Sequence, residues 1–415
     1  MIHIIDAKLN VAHSLGRERN CLIAQIPNCL ARSEHGYAVA DPDQKWHTVE
    51  SIFELVGKSE GSLKDLRFLV LPEGALPFAR FDDTLAAISR CLRPNSITMF
   101  GLEHIPLRAY RQLLERFRSD NAEACDLVQQ DVDAGSSLES PANVCCIAVK
   151  EASGTLRVFL EAKSHPFFGE EYLDKFYDLY QGRHLYLFQN RLSCYNFMVV
   201  ICVDYLYRDL YGSNIRRIIE HANQMFFSTR HGLDALFVVQ CNPKPEHRAY
   251  RDLLCGFYGE YLEDTPGVRE TVTVFGNCSS ESVLQGVTME SAFGASSVVI
   301  GNRHKLRRTE ASEFRTDDFD GSPVSRLRFG TETRLYYFSL PLHHEPDPRS
   351  SRTPIKIHAI LSPSPDGGWL RIPGDEMWAG TGIEVARRPY WNQRPDHTGT
   401  PHEVVATGEF SSDNL

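Results

Sequence analysis

Short apolar runs alternate with amphipathic stretches along most of the chain. Residues 21–26 read as a strand, and the spacing of apolar positions predicts helices over 44–57 and 82–92, on either side of a strand at 67–71. A strand at 97–100 and a helix over 107–117 continue the alternation, which is the βαβα order of an α/β sheet. The stretch 119–143 is polar, acidic and serine-rich, and reads as an insertion or mobile loop. Two β-runs follow, 144–150 and 156–161, with Gly154 in the turn of a hairpin. Two more lie at 184–189 and 197–202, and the order then returns to helix 214–227, strand 234–240, helix 247–261 and strand 270–275. Beyond Ile300 come a basic run, residues 303–308, and segments rich in Pro, Gly and Asp. The pattern therefore divides the chain into an N-terminal extension (1–20), a main body (21–301) and a loop-rich C-terminal extension (302–415) packed on the body or on a partner.

Composition narrows the function more than the fold. The chain has 415 residues, with 42% hydrophobic and 24% charged, the balance of a folded globular protein. A net charge of −10 argues against binding to a phosphate backbone, so nucleic acid is not an expected partner, and the basic run 303–308 reads as a solvated loop. No apolar run is long enough to span a bilayer and no leader segment is visible, so a cytoplasmic location is expected. The eleven cysteines show no paired spacing, and there is no CxxC or HExxH, so no metal or cofactor is expected. His343-His344-Glu345, between two prolines, reads as a solvated loop.

Three apolar runs deliver a polar side chain at a strand's C-terminal end, where open α/β sheets bind ligands. They are Phe68-Leu69-Val70-Leu71-Pro72-Glu73-Gly74, Val158-Phe159-Leu160-Glu161-Ala162-Lys163-Ser164-His165, and Met198-Val199-Val200-Ile201-Cys202-Val203-Asp204-Tyr205. Singly each is weak, because a carboxylate after a strand is usually a cap and a cysteine at a strand end is usually packing. A thiol is mostly protonated at neutral pH, so a nucleophilic Cys202 needs a base or a cation beside it.

In order and context these residues resemble the Glu-Lys-Cys triad of the nitrilase (carbon–nitrogen hydrolase) superfamily. The resemblance covers roughly residues 21 to 301 and includes a closing segment, Phe275-Gly276-Asn277 with Ala292-Phe293-Gly294-Ala295-Ser296. It implies an αββα four-layer sandwich, with Glu73 as base and Lys163 stabilising thiolate and oxyanion. The backbone N–H of Val203 would be the second oxyanion donor and Glu170 a supporting carboxylate, with Glu171 as the alternative. It also implies His165, Phe167, Asp204 and Tyr205 as substrate-cleft candidates, a homo-oligomer, and a small or medium amide-type substrate with water. The chain departs from the family pattern where Val203 replaces the Tyr after the cysteine and Arg208-Asp209 replaces Pro-Glu. Nitrile-specific members carry Trp-Glu there, so an amide or carbamoyl bond is expected rather than a nitrile. The alternative is a nitrilase-fold interaction or scaffold protein of a larger assembly, such as a bacterial antiphage defence system, with a protein partner on the C-terminal extension.

Overall fold

A computed structural model describes residues 2–12, 18–58, 63, 65–167, 170, 179–190, 192, 195–207, 213–227, 229, 231–261, 265–268, 271–285, 293–301, 311–318, 324–341 and 355–372. Among them the long strands assemble into two eight-stranded sheets. The first runs in the order His3–Leu9, His184–Asn190, Asn196–Ile201, Leu233–Val239, Val272–Gly276, Ser297–Gly301, Val324–Phe329, Phe314–Asp318. The second runs Leu156–Ala162, Val144–Lys150, Ser96–Gly101, Leu66–Val70, Glu18–Gln25, Arg334–Pro341, Lys356–Pro363, Trp369–Arg371.

Side-chain alternation decides how the sheets pack, since successive residues of a strand face opposite sides. In the first sheet Phe197, Val199 and Ile201 join the large core, whereas Met198 and Val200 join a separate one; Phe237 and Val239 likewise oppose Leu236 and Val238. These strands run parallel and are buried on both faces, which is why they read as continuous apolar runs. The large core lies between the sheets, where Phe68 meets Phe197 and Phe237 at ring-centroid distances of 5.5 and 5.0 Å, and Phe159 meets Phe188 at 5.1 Å. Helices Pro42–Lys58, Phe81–Cys91, Leu107–Arg116 and Arg118–Asp133 cover the second sheet; Asn214–Phe226 and Arg248–Gly256 cover the first. The architecture is the αββα sandwich.

Three parts of the chain differ from the sequence reading. The stretch 119–143 is not a mobile loop: most of it forms the helix Arg118–Asp133, which buries Asn121, Ala124, Cys125 and Val128 at three- and four-residue spacing. Asn121 fixes that helix to the second sheet, donating from Nδ2 to the Val158 carbonyl and accepting the Leu160 amide on Oδ1. The described parts of the 302–415 extension are mostly strand, and they complete both sheets. Arg334–Pro341 pairs antiparallel with Glu18–Gln25, because the run Leu335-Tyr336-Tyr337-Phe338 is apolar on both faces. Part of the expected N-terminal extension is likewise built into the body, since His3–Leu9 is the edge strand of the first sheet, parallel to His184–Asn190. The basic run 303–308 and His343-His344-Glu345 lie outside the described residues.

Candidate active site

Strands Leu66–Val70, Leu156–Ala162, Asn196–Ile201 and Leu233–Val239 all end at one place, and each hands over a polar or nucleophilic residue. After the first, the turn Pro72-Glu73-Gly74 folds back on the neighbouring strand, with the Gly101 amide donating to the Pro72 carbonyl at 3.1 Å. That approach requires glycine at 101, where a Cβ would lie 2.5 Å from the Glu73 Cα. Gly74 takes φ +65° and so completes the turn in a region open mainly to glycine. The Glu73 carboxylate is fully engaged. Its Oε1 accepts from Lys163 Nζ and from Asn143 Nδ2, both at 2.8 Å, and its Oε2 accepts the Cys241 amide at 2.9 Å.

Lys163 follows the second of these strands, with its own amide bonded to the Asn143 carbonyl at 2.8 Å. Its side chain is wholly buried, and Nζ donates to Glu73 at 2.8 Å and to Glu170 at 2.7 Å. Burial disfavours the ammonium, but the Glu170 and Glu73 carboxylates outweigh it and hold the Lys163 pKa well above the ordinary lysine value. Burial alone would push Glu170 up. Lys163, aided by His104, pulls it down instead, to about 2. Glu170 Oε1 also takes Asn143 Nδ2 at 2.7 Å, and its Oε2 takes the Phe167 amide at 2.9 Å. Glu171, the alternative for this role, lies outside the described residues. The Tyr37 amide donates to His104 Nδ1, which leaves Nε2 as the nitrogen that donates to Glu170 Oε1, at 3.1 Å.

Cys202 ends the third strand and opens a short 3₁₀ turn, Cys202–Tyr205, at φ +44°. A non-glycine residue there is strained, the usual condition of a side chain presented at a sharp strand-end turn. Burial pushes the thiol well above its ordinary value and Glu73 adds to the rise, against the smaller opposing pull of Lys163 and Tyr250. Cys202 therefore rests as a thiol, and the lysine does not by itself make a thiolate.

Solved structures of carbon–nitrogen hydrolases are similar to this chain. One is XC1258 from Xanthomonas campestris, a CN-hydrolase superfamily protein with an arsenic adduct in its active site: 14% identity over 78% of this chain and 91% of that one, TM-score 0.42. Another is a mutant of the amidase from Nesterenkonia sp. AN1 with the acetamide moiety of fluoroacetamide added covalently at its active-site cysteine: 11% identity over 81% of this chain and 96% of that one, TM-score 0.44. No protein-family profile matches the chain, and no curated protein does.

A small cleft opens onto Glu73, His104, Asn143, Glu170, Phe167 and Cys241. Of the expected cleft residues only Phe167 lines it, its ring 5.2 Å from Lys163 Nζ. Asp204 is instead a buried brace that accepts the Ser164 and His165 amides, both at 2.9 Å, and so ties the loop after the lysine to the turn after the cysteine. Tyr205 points into the outer core against Phe275, and His165 stacks on Tyr207. Val203 lies within the turn, its carbonyl taking the Leu206 amide at 2.8 Å. The sequence reading missed Asn143, His104, Cys241 and Tyr250. His104 and Cys241 carry the strand-end signal used for the other residues; Asn143 precedes its strand, and Tyr250 sits on a helix.

Proposed function

We propose that this protein is a thiol hydrolase that cleaves a non-peptide carbon–nitrogen bond, amide or carbamoyl rather than nitrile, through a thioester on Cys202. The observation that carries the reading is the buried Lys163 ammonium, fixed between Glu73 and Glu170 and interacting electrostatically with Cys202 at its strained turn. Two carboxylates and one ammonium leave the group net negative, which suits proton acceptance by Glu73 more than a standing thiolate. Glu73 takes the Cys202 proton as the sulfur attacks the carbonyl carbon, and Lys163 with the Val203 N–H stabilises the oxyanion that forms. Glu73 then gives the proton to the leaving nitrogen, the C–N bond breaks, and ammonia or an amine departs. Water, losing a proton to Glu73, attacks the thioester, the C–S bond breaks to release the acid, and Glu73 returns the proton to the Cys202 sulfur. Glu170 is a positioning residue, because it acts through Lys163. The test is ammonia release from a panel of primary amides and carbamoyl compounds. Activity present in the unmodified protein and abolished by Cys202→Ala, with the fold kept, supports the reading; turnover undiminished in that variant overturns it.

A further inference from the structure

Tyr250 takes no part in the steps above, yet its hydroxyl lies 3.7 Å from the Cys202 sulfur. The first turn of helix Arg248–Gly256 carries it, and the ring is almost wholly buried, edge-on to Phe275. Tyr250 also lines a second cleft, shared with Gln240, His247 and Ser297. Gln240 faces the same hydroxyl, and its Nε2 has no hydrogen-bond partner among the described residues. Once the sulfur has lost its proton it can only accept, so the phenol is the donor in this contact.

The electrostatics give that hydrogen a task. Lys163 is shared between two carboxylates, so the three groups together carry one negative charge. A thiolate forming beside them gains nothing net from the group, because Glu73 opposes the pull of Lys163, whereas a neutral donor aimed at the sulfur adds stabilisation without needing a counter-charge. We infer that Tyr250 is a further catalytic residue, whose hydroxyl donates to Cys202 Sγ as the sulfur loses its proton to Glu73. The inference rests on Cys202 being the nucleophile. Burial pushes the phenol well above its ordinary value, so Tyr250 acts as a donor and never as the base.

The experiment follows alkylation of Cys202 by iodoacetamide as a function of pH, read by peptide mass, with exposed Cys29 as the internal control. In Tyr250→Phe the midpoint for Cys202 should rise by about one pH unit or more, the loss expected for a hydrogen bond to a charged sulfur, while Cys29 is unchanged. A fluorotyrosine placed at position 250, a stronger donor of nearly the same shape, should move the midpoint down, and it serves as the decisive variant if the phenylalanine variant does not fold. Superimposable Cys202 profiles in the unmodified and substituted proteins overturn the inference and leave Cys202 as nucleophile. Ammonia release undiminished by Cys202→Ala overturns the nucleophile itself, which is a separate result.

Discussion

Lys163 stays charged in a buried site because Glu73 and Glu170 both bond its ammonium, and the dependence runs the other way too. Lys163→Met leaves two buried carboxylates without their cation, and should lower stability by about 3–5 kcal/mol in urea unfolding as well as abolish ammonia release. Glu170 has a folded pKa of about 2 against an ordinary 4.5. Its contribution to stability is therefore complete above about pH 4.5 and is lost as the pH falls toward about 2. Thermal melts across that window should show unmodified protein losing stability faster than Glu170→Gln; equal slopes would refute the coupling. Lys163, raised above its ordinary value, behaves oppositely and is lost as a stabiliser only at high pH. Glu73, Lys163 and Cys202 could be picked out in the sequence because each ends an apolar run. Asn143, which donates to both Glu73 and Glu170, could not, because its importance comes from partners 70 and 27 positions away. Asp204 and Tyr205 point away from the Glu73 carboxylate for a local reason: the 3₁₀ turn sends neighbouring side chains to different faces, one against a loop and the other into the outer core.

At the level of elements, helix Arg118–Asp133 shows how a polar composition hides an amphipathic pattern. Its apolar face is narrow, and a buried asparagine takes a place where a leucine would have announced the helix. Asn121→Ala removes bonds to the Phe117 and Val158 carbonyls, the Leu160 amide and the Tyr186 hydroxyl. At about 1–3 kcal/mol for each buried group left unpaired, a clear fall in melting temperature should follow, and helix propensity offers no offset because Asn121 sits at a kink with non-helical φ −126° and ψ 27°. The alternating core strands were legible because parallel strands buried on both faces need unbroken apolar runs. The turn holding Glu73 depends on a close backbone approach instead, and a lone Gly101 in a strand announces that only weakly. Gly101→Ala should displace Glu73 and cut ammonia release strongly while leaving far-UV circular dichroism near that of the unmodified protein; normal turnover in this variant would show that the turn tolerates the shift.

For the whole molecule, the body does not end at Gly301, because the strands beyond it supply neighbours to both sheets. A fragment ending there should lack a cooperative unfolding transition, where a true domain boundary would leave one intact. The same arrangement has a consequence for synthesis. Glu18–Gln25 leaves the ribosome early, but its antiparallel neighbour Arg334–Pro341 is encoded more than 300 residues later. At ribosomal speeds of about 5–20 residues per second, the earlier strand waits roughly 15–60 s with one row of backbone donors and acceptors open. Nascent chains arrested before residue 334 should therefore bind holdase chaperones and be digested readily by protease, and resistance should arrive in a single step as the last strands emerge.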